Sequence, residues 1–140
     1  MPNNPPKSDY ELKVSLSALR HLGINLYSNI PAVISEAVAN SWDADAELVE
    51  IDIDERNKTI TITDDGTGMD ENDLNDKYLS VGYMRREREP PITHIHHRHV
   101  MGRKGIGKLS LFSIAKTIEV TSVKKDNTGR IKKNGLRMKL

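Results

Sequence analysis

Apolar residues recur along this chain with two different periods, and the change from one to the other divides it into elements. From Tyr10 to Leu22, Leu12, Leu16, Leu19 and Leu22 return at close to helical spacing, and Gly23 supplies a stop. Ser28 and Asn29 are suitable N-caps, and Pro31 fits the first turn of a second helix, which the pattern ends near Asp43 to Asp45. On that helix Glu36, Asn40 and Asp43 stand at i, i+4 and i+7 and share one face. Ile34, Ala37, Val38 and Ser41 fall largely elsewhere, so an apolar side remains for packing. The period then drops to two. Val49, Ile51 and Ile53 alternate with Glu50, Asp52 and Asp54, which predicts a half-buried strand. Arg56-Asn57-Lys58 reads as a hairpin turn, and Thr59 to Thr63 as a second strand.

The second strand runs directly into Asp64-Asp65-Gly66-Thr67-Gly68-Met69, after which Asp70 to Leu79 predicts a short helix. From Gly82 to Val100 there is no usable period. Arg85, Arg86 and Arg88, adjacent prolines and the run His94, His96, His97, His99 predict a mobile loop. A glycine-rich stretch, Met101 to Lys108, precedes a helical Leu109 to Ala115. Thr117 to Val123 is a strand, Lys124 to Asn134 a charged turn, and a last strand begins at Leu136. Met1 to Ser8 is polar with three prolines and reads as an extended lead-in, and no internal repeat is visible.

Composition narrows the class without naming a function. A chain of 140 residues suffices for one domain with one core. Charged residues make up 29% but the net charge is +1, so no global field argues for a polyanionic partner. The absence of cysteine excludes disulfides and thiol chemistry. No apolar run approaches the ~20 residues of a membrane span, and no signal-peptide pattern opens the chain. A cytoplasmic soluble domain is the default expectation.

Three stretches could carry chemistry. In the second helix, Glu36 could take a proton from water, and the neutral Asn40 amide could ligate Mg²⁺ without adding charge. A solvated polar face would explain the same stripe. In Asp64-x-Gly66-x-Gly68, two glycines allow close backbone approach to a flat ligand, and a carboxylate could accept from an exocyclic amine. An ordinary Asp-Gly turn is the bland alternative. In Gly102-Arg-Lys-Gly105-Ile-Gly107-Lys108, backbone N–H groups at a helix start, with three cations, suit phosphate. The spacing is not that of a Walker loop, nor that of a dinucleotide fingerprint. The histidine run lies in a basic, proline-flanked loop and reads as solvated rather than metal-binding. Trp42 reads as core or helix-end packing.

Taken in order, Glu36-x-x-x-Asn40-x-x-Asp43-Ala44, Asp64-x-Gly66-x-Gly68 and Gly102-x-x-Gly105-x-Gly107 resemble the motifs of the GHKL ATPases. That superfamily groups gyrase, the ninety-kilodalton heat-shock chaperone, sensor histidine kinases and MutL, with MORC proteins related. The match covers roughly Tyr10 to Val123. The resemblance implies an α+β Bergerat fold, a two-layer sandwich of a mostly antiparallel sheet with helices on one face. It implies ATP and Mg²⁺ as cofactors. By position Glu36 looks like the general base and Asn40 the Mg²⁺ ligand, with Asp43 and Ala44 completing the first motif near the nucleotide. Asp64 would read the adenine amino group, in a pocket shaped by Gly66, Gly68 and Met69. Gly102, Gly105, Ile106, Gly107 and Lys108 would wrap the phosphates. Residues of about 76–101 would be the ATP lid, with Arg85 or Arg86 as a phosphate contact.

Glu36 and the Asp43-Ala44 pair look like the chaperone, MutL and MORC side rather than the sensor kinases, which usually carry an amide-type residue at the first position. That side implies slow hydrolysis, with ATP closing the lid or dimerising the domain. The expected domain spans 10–140 after a lead-in of 1–9. Relative to the family it looks incomplete, lacking a late Gly-Thr strand and the transducer domain, so C-terminal domains of the same protein are expected partners. Nucleic acid would enter through such other domains. A histidine-kinase-type catalytic domain and an ATP-binding interaction module without turnover are the competing readings.

Overall fold

The computed structural model of the chain describes residues 30–80, 90–102 and 110–139. The first element is helix α1, Ile30–Asp43. The proposed caps Ser28 and Asn29, and the leucine-spaced stretch before them, lie outside the described residues. Within α1, Val33, Ser41 and Asp43 are buried, whereas Val38 is exposed. The packed side therefore runs along Val33, Ala37 and Ser41, one position round from the one the apolar residues suggest.

Two antiparallel hairpins follow. β1, Val49–Asp54, pairs with β2, Thr59–Asp64, in a register that sets Ile51 opposite Ile62 and Ile53 opposite Ile60. Residues directly opposite share a face, so one face carries the aliphatic side chains together with Asp64, opposite Val49, and the other the remaining acids and the threonines. The turn between them is closed by Asp54, whose carboxylate accepts the Arg56 and Asn57 N–H groups. Those bonds, led by Asn57, hold its carboxyl below the usual range. Ile51 and Ile53 remain 43% and 57% exposed, against the half-buried strand that alternation predicts. Among the described residues, α1 is tied to this pair only at its Asp64 end, through Ser41.

The second hairpin is longer than its sequence suggests. β3, Thr117–Lys125, pairs throughout with β4, Ile131–Lys139. The charged turn thus shrinks to the segment after Lys125. There the Asp126 carboxylate accepts N–H groups of Thr128 and Arg130, and Gly129 takes φ +79°. Lys132, Lys133 and Asn134 belong to β4 rather than to the turn, because the ladder hydrogen bonds extend past the last apolar pair.

The core sits on one face of this second hairpin. Leu74, Ile118, Leu136 and Met138 are buried together, with Met69, Tyr78, Leu79, Leu111, Phe112, Ala115 and Val120 packed round them. Leu74 comes from Asp73–Tyr78, a widened π-type turn in place of the regular helix predicted for Asp70 to Leu79. The Leu79 N–H reaches back five residues to the Leu74 carbonyl at 2.7 Å. Lys124 anchors the start of this turn by pairing with both Asp70 and Asp73. A 3₁₀ turn, Leu111–Ser113, covers the other end, where a helix to Ala115 is predicted. Tyr78 is engulfed by this packing, and burial pushes its hydroxyl up to about 12.

Because Leu74 is 0% exposed, Leu74→Ala removes a filled volume that the two strands cannot collapse into. A loss of roughly 2–5 kcal/mol in unfolding free energy is expected in urea titration of the whole chain.

Candidate functional site

Three sequence-distant segments meet at the C-terminal end of α1, and carboxylates make most of the joints. The helix closes with the Ala44 N–H on the Asn40 carbonyl at 3.0 Å. The Ala44 carbonyl then accepts the Thr67 N–H at 2.8 Å. Gly66 packs so closely on Ala44 that an added Cβ would lie 2.8 Å from that carbonyl and 2.9 Å from an Asp64 oxygen. Only glycine fits this approach.

Asp64 ends β2. Its Oδ2 accepts the Ser41 hydroxyl at 3.0 Å, and its Oδ1 accepts the Gly66 N–H at 3.0 Å. The residue is exposed. An ionised carboxylate has about four acceptor positions, so it is held in place with acceptor capacity left over. The neighbouring Asp65 is used differently. The Leu48 and Glu47 N–H groups bond it and hold its carboxyl below the usual range, which locks the entry to β1.

Gly68 takes φ +71°, and a Cβ there would stand 1.9 Å from the Val123 carbonyl. Met69 is clamped on both sides of its peptide. Its N–H donates to the Ser122 hydroxyl at 2.7 Å, and its carbonyl accepts the Asn134 amide at 3.3 Å. The Asp64–Met69 loop is therefore built between α1 and the second hairpin.

The third segment departs most from expectation. The predicted mobile loop from Gly82 to Val100 is, over residues 90–102, docked on the end of α1; residues 81–89 lie outside the described residues. Ile92 and His99 form an isolated antiparallel bridge. The buried Asp43 accepts the Met101 and Gly102 N–H groups at 2.7 and 2.9 Å. Asp45, at φ 61° and also buried, accepts the Ile95 and His96 N–H groups at 2.9 and 3.1 Å. Trp42 donates from Nε1 to the His99 carbonyl at 3.0 Å, and the Arg98 guanidinium sits 4.6 Å over its ring. Arg98 also donates to the Ala46 carbonyl. Trp42 is thus a 41% exposed platform at the helix end rather than core. A basic, histidine-rich stretch has no period to read because two carboxylates at the end of another element, Asp43 and Asp45, order it.

Each expected site residue can now be placed. On α1, Glu36 is half-buried, Asn40 exposed and Asp43 buried. Glu36 and Asn40 lie two turns and one turn back from Asp43, with Glu36 about 10 Å away along the axis. Ala44, Gly66 and Gly102 are half-buried round the same helix end, whereas Gly68 and Met69, also half-buried, sit against the second hairpin. Arg85, Arg86, Gly105, Ile106, Gly107 and Lys108 lie outside the described residues. Asp43 is occupied by the backbone N–H groups of Met101 and Gly102, so its part is to hold the entry to the glycine-rich stretch. Ser41, Asp45, Ser122 and Asn134 escaped the sequence reading. Only Asp45 left a trace, an acid just past a helix end, where left-handed backbone is tolerated. Among the described residues, no three His, Asp or Glu side chains are grouped to hold a metal ion. His96 instead lies 3.2 Å from Glu47.

Comparison with known proteins identifies the family. Residues 27–137 match the family model described as histidine kinase-, DNA gyrase B-, and HSP90-like ATPase, and the chain belongs to that family. ATP binding is the property the family shares. A candidate type II restriction enzyme, HgiDII of Herpetosiphon aurantiacus, is 50% identical over 117 residues, which is 84% of this chain and 18% of that protein. The chaperone HtpG of Vesicomyosocius okutanii is 28% identical, covering 84% of this chain and 23% of the chaperone. HtpG of Psychrobacter arcticus is 29% identical, covering 96% and 23%. The chain thus spans about a fifth of the length of these relatives. No described helix is long and apolar enough to cross a membrane.

The Asp45 joint has a definite pH signature. Burial pushes its carboxyl up, but the Thr93 hydroxyl and the Ile95 and His96 N–H groups outweigh burial and bring it down to about 2. A folded value below the unfolded 3.8 contributes stability above that pH, lost as pH falls toward 2. Amide exchange of residues 93–96 is expected to accelerate over that window in the native chain. In Asp45→Asn the same amides should exchange faster at neutral pH and show no such step.

Proposed function

We propose that the chain binds Mg²⁺–ATP at the end of α1 and hydrolyses it slowly, as the switch domain of a longer protein. The nucleotide would lie within a two-layer Bergerat sandwich, with lid closure or dimerisation as the output. The observation that carries this reading is Asp64, an exposed carboxylate held by Ser41 and the Gly66 N–H beside a backbone that tolerates no side chain at Gly66.

The residues suit the ligand. Asp64 would accept from the adenine amino group with its remaining lone pairs, and its fixed orientation spares the entropy of ordering it on binding. Gly66, Gly68 and Met69 would wall the adenine pocket, held in place by the close packing of Gly66 on Ala44 and by the clamp on the Met69 peptide. Asn40, exposed on α1, would offer its amide oxygen to Mg²⁺, which when bound offsets phosphate charge. Glu36 would orient a water and take its proton on a carboxylate oxygen. Gly102, aligned by Asp43, would lead into phosphate contacts by Gly105, Ile106, Gly107 and Lys108, with Arg85 or Arg86 from the lid.

Half-identity with a protein described as a candidate restriction enzyme favours a DNA-processing context for the whole protein over a chaperone one. ADP would bind as well, and turnover would need parts of the longer protein.

Calorimetry with a non-hydrolysable ATP analogue and Mg²⁺ tests the site. Asp64→Asn, melting as the parent does, is expected to lose at least tenfold in affinity. Glu36→Ala should keep affinity and lose turnover in the full-length protein. Unchanged binding in the first variant would remove Asp64 from the adenine site, and unchanged turnover in the second would remove Glu36 as the base.

A further inference from the structure

The near-zero net charge conceals a segregated one. Residues 117–139 hold seven Lys and Arg against two acids, while the chain as a whole is +1. The β3–β4 register sorts these charges by face. The inward positions are Ile118, Val120, Ser122 and Lys124 with their partners Met138, Leu136, Asn134 and Lys132. There Lys124 and Lys132 stand directly opposite, a pairing that repels. Lys124 is neutralised by Asp70 and Asp73, and Asp126, its carboxyl held low first by the Thr128 hydroxyl, also feels Lys132.

The outward face has one such compensation in its register, between Glu119 and Arg137. All ten of its positions on the two strands are exposed. Lys133 and Lys125 are diagonal neighbours near the turn, and Arg137 and Lys139 follow along β4. The face holds one acid, Glu119, which faces Arg137 in an exposed pair of small net worth. From Lys133 to Lys139 the strand covers about 20 Å. Midway, Gly135 stands opposite Thr121, leaving a bare stretch of backbone flanked by a hydroxyl.

From this we infer that the outward face of β3–β4 is a binding surface for the sugar–phosphate backbone of duplex nucleic acid. A row of cations along an extended strand, interrupted at Gly135, suits a ligand with repeated charge. The hollow beside the turn, which Lys125 lines with Lys124, Lys132, Asp70 and Asp126, carries acids of its own, whereas the row along β4 is an exposed strand face. Its flat centre at Gly135 would let a ridge of phosphates lie close, with Thr121 donating. The stems of Lys125 and Lys133 would cover the exposed Val123 and Ile131. Binding would be independent of sequence, and nothing in it requires ATP, so this domain would itself touch nucleic acid rather than leave that to other domains.

Fluorescence anisotropy of the whole chain with labelled 20-base-pair DNA and RNA duplexes of one sequence tests this, without nucleotide, at 50 and 200 mM NaCl. Binding to either duplex is expected at low salt. With about four phosphate contacts, the logarithm of the affinity should fall with the logarithm of salt at a slope of about −3.6. The variant K125E/K133E/K139E should bind at least tenfold more weakly, while keeping the parent's melting temperature and ATP-analogue affinity. K58E, on the other hairpin, should bind as the parent does. No binding to either duplex at 50 mM NaCl would overturn the proposal. So would equal binding by the triple variant and the parent. Self-association abolished by the triple variant, with no duplex bound, would also overturn it, and would assign the face to the acidic hairpin of a second copy. Failure of ATP-analogue binding alone would leave it standing, because the two readouts rest on different residues.

Discussion

The structure depends on carboxylates accepting backbone N–H groups from segments far away in sequence. Asp43 takes Met101 and Gly102, Asp45 takes Ile95 and His96, and Asp65 takes Glu47 and Leu48. Each ionised carboxylate is an acceptor only, with room for several donors, and its bonds are charge-assisted and short. Burying Asp43 and Asp45 without those donors would cost several kcal/mol, of the order known for unpaired polar groups. Conversely, the N–H groups of a loop with no regular structure must go somewhere. The two requirements meet at the end of α1, and the site is built there as a consequence.

That economy separates two uses of acidic residues. Asp43 and Asp45 are buried and spent on the loop. Asp64 is exposed and only half spent, since Ser41 and the Gly66 N–H fix it without exhausting it. The same contrast separates the glycines. Gly66 and Gly68 are required by what their absent side chains would strike, Ala44 in one case and the Val123 carbonyl in the other. On the proposed reading, the acid with spare acceptors is the one that would meet a donor-bearing ligand, and the glycines let the loop around it pack closely on Ala44 and Val123. The acids whose lone pairs are taken mark the frame around it.

How much of this was legible follows from which forces leave a period. β1 and β2 were readable because Ile51, Ile53, Ile60 and Ile62 alternate. The start of β4 was not, because Lys132, Lys133 and Asn134 supply no apolar beat and are held in the sheet by ladder hydrogen bonds, with Asn134 also donating to the Met69 carbonyl. The segment 90–102 was misread as mobile because its order comes from acids roughly fifty residues earlier, a relation no local pattern carries. The π-type turn at Asp73–Tyr78 escaped because a one-residue widening scarcely alters helical spacing. Glu36, Asn40, Asp64 and the glycines could be singled out as candidates only through family resemblance. Their supports, Ser41, Ser122 and Asn134, are small polar residues on packing faces and give no signal of their own.

Met69 connects the two halves of the molecule. Its side chain packs into the core, and its peptide is held by Ser122 and Asn134, which face each other across β3 and β4. Five residues earlier stands Asp64. On the reverse of the same two strands lies the cationic row. Any ligand that moved the Asp64–Met69 loop would therefore push on the inward side of the hairpin whose outward side is charged. If the two surfaces are both occupied in function, the dependence between them must be reciprocal, since a coupling free energy acts equally in both directions. The clamp at Met69 is the physical element through which such a coupling would pass. Its two hydrogen bonds are replaceable one at a time, so the link can be weakened at Ser122 or Asn134 without touching either surface.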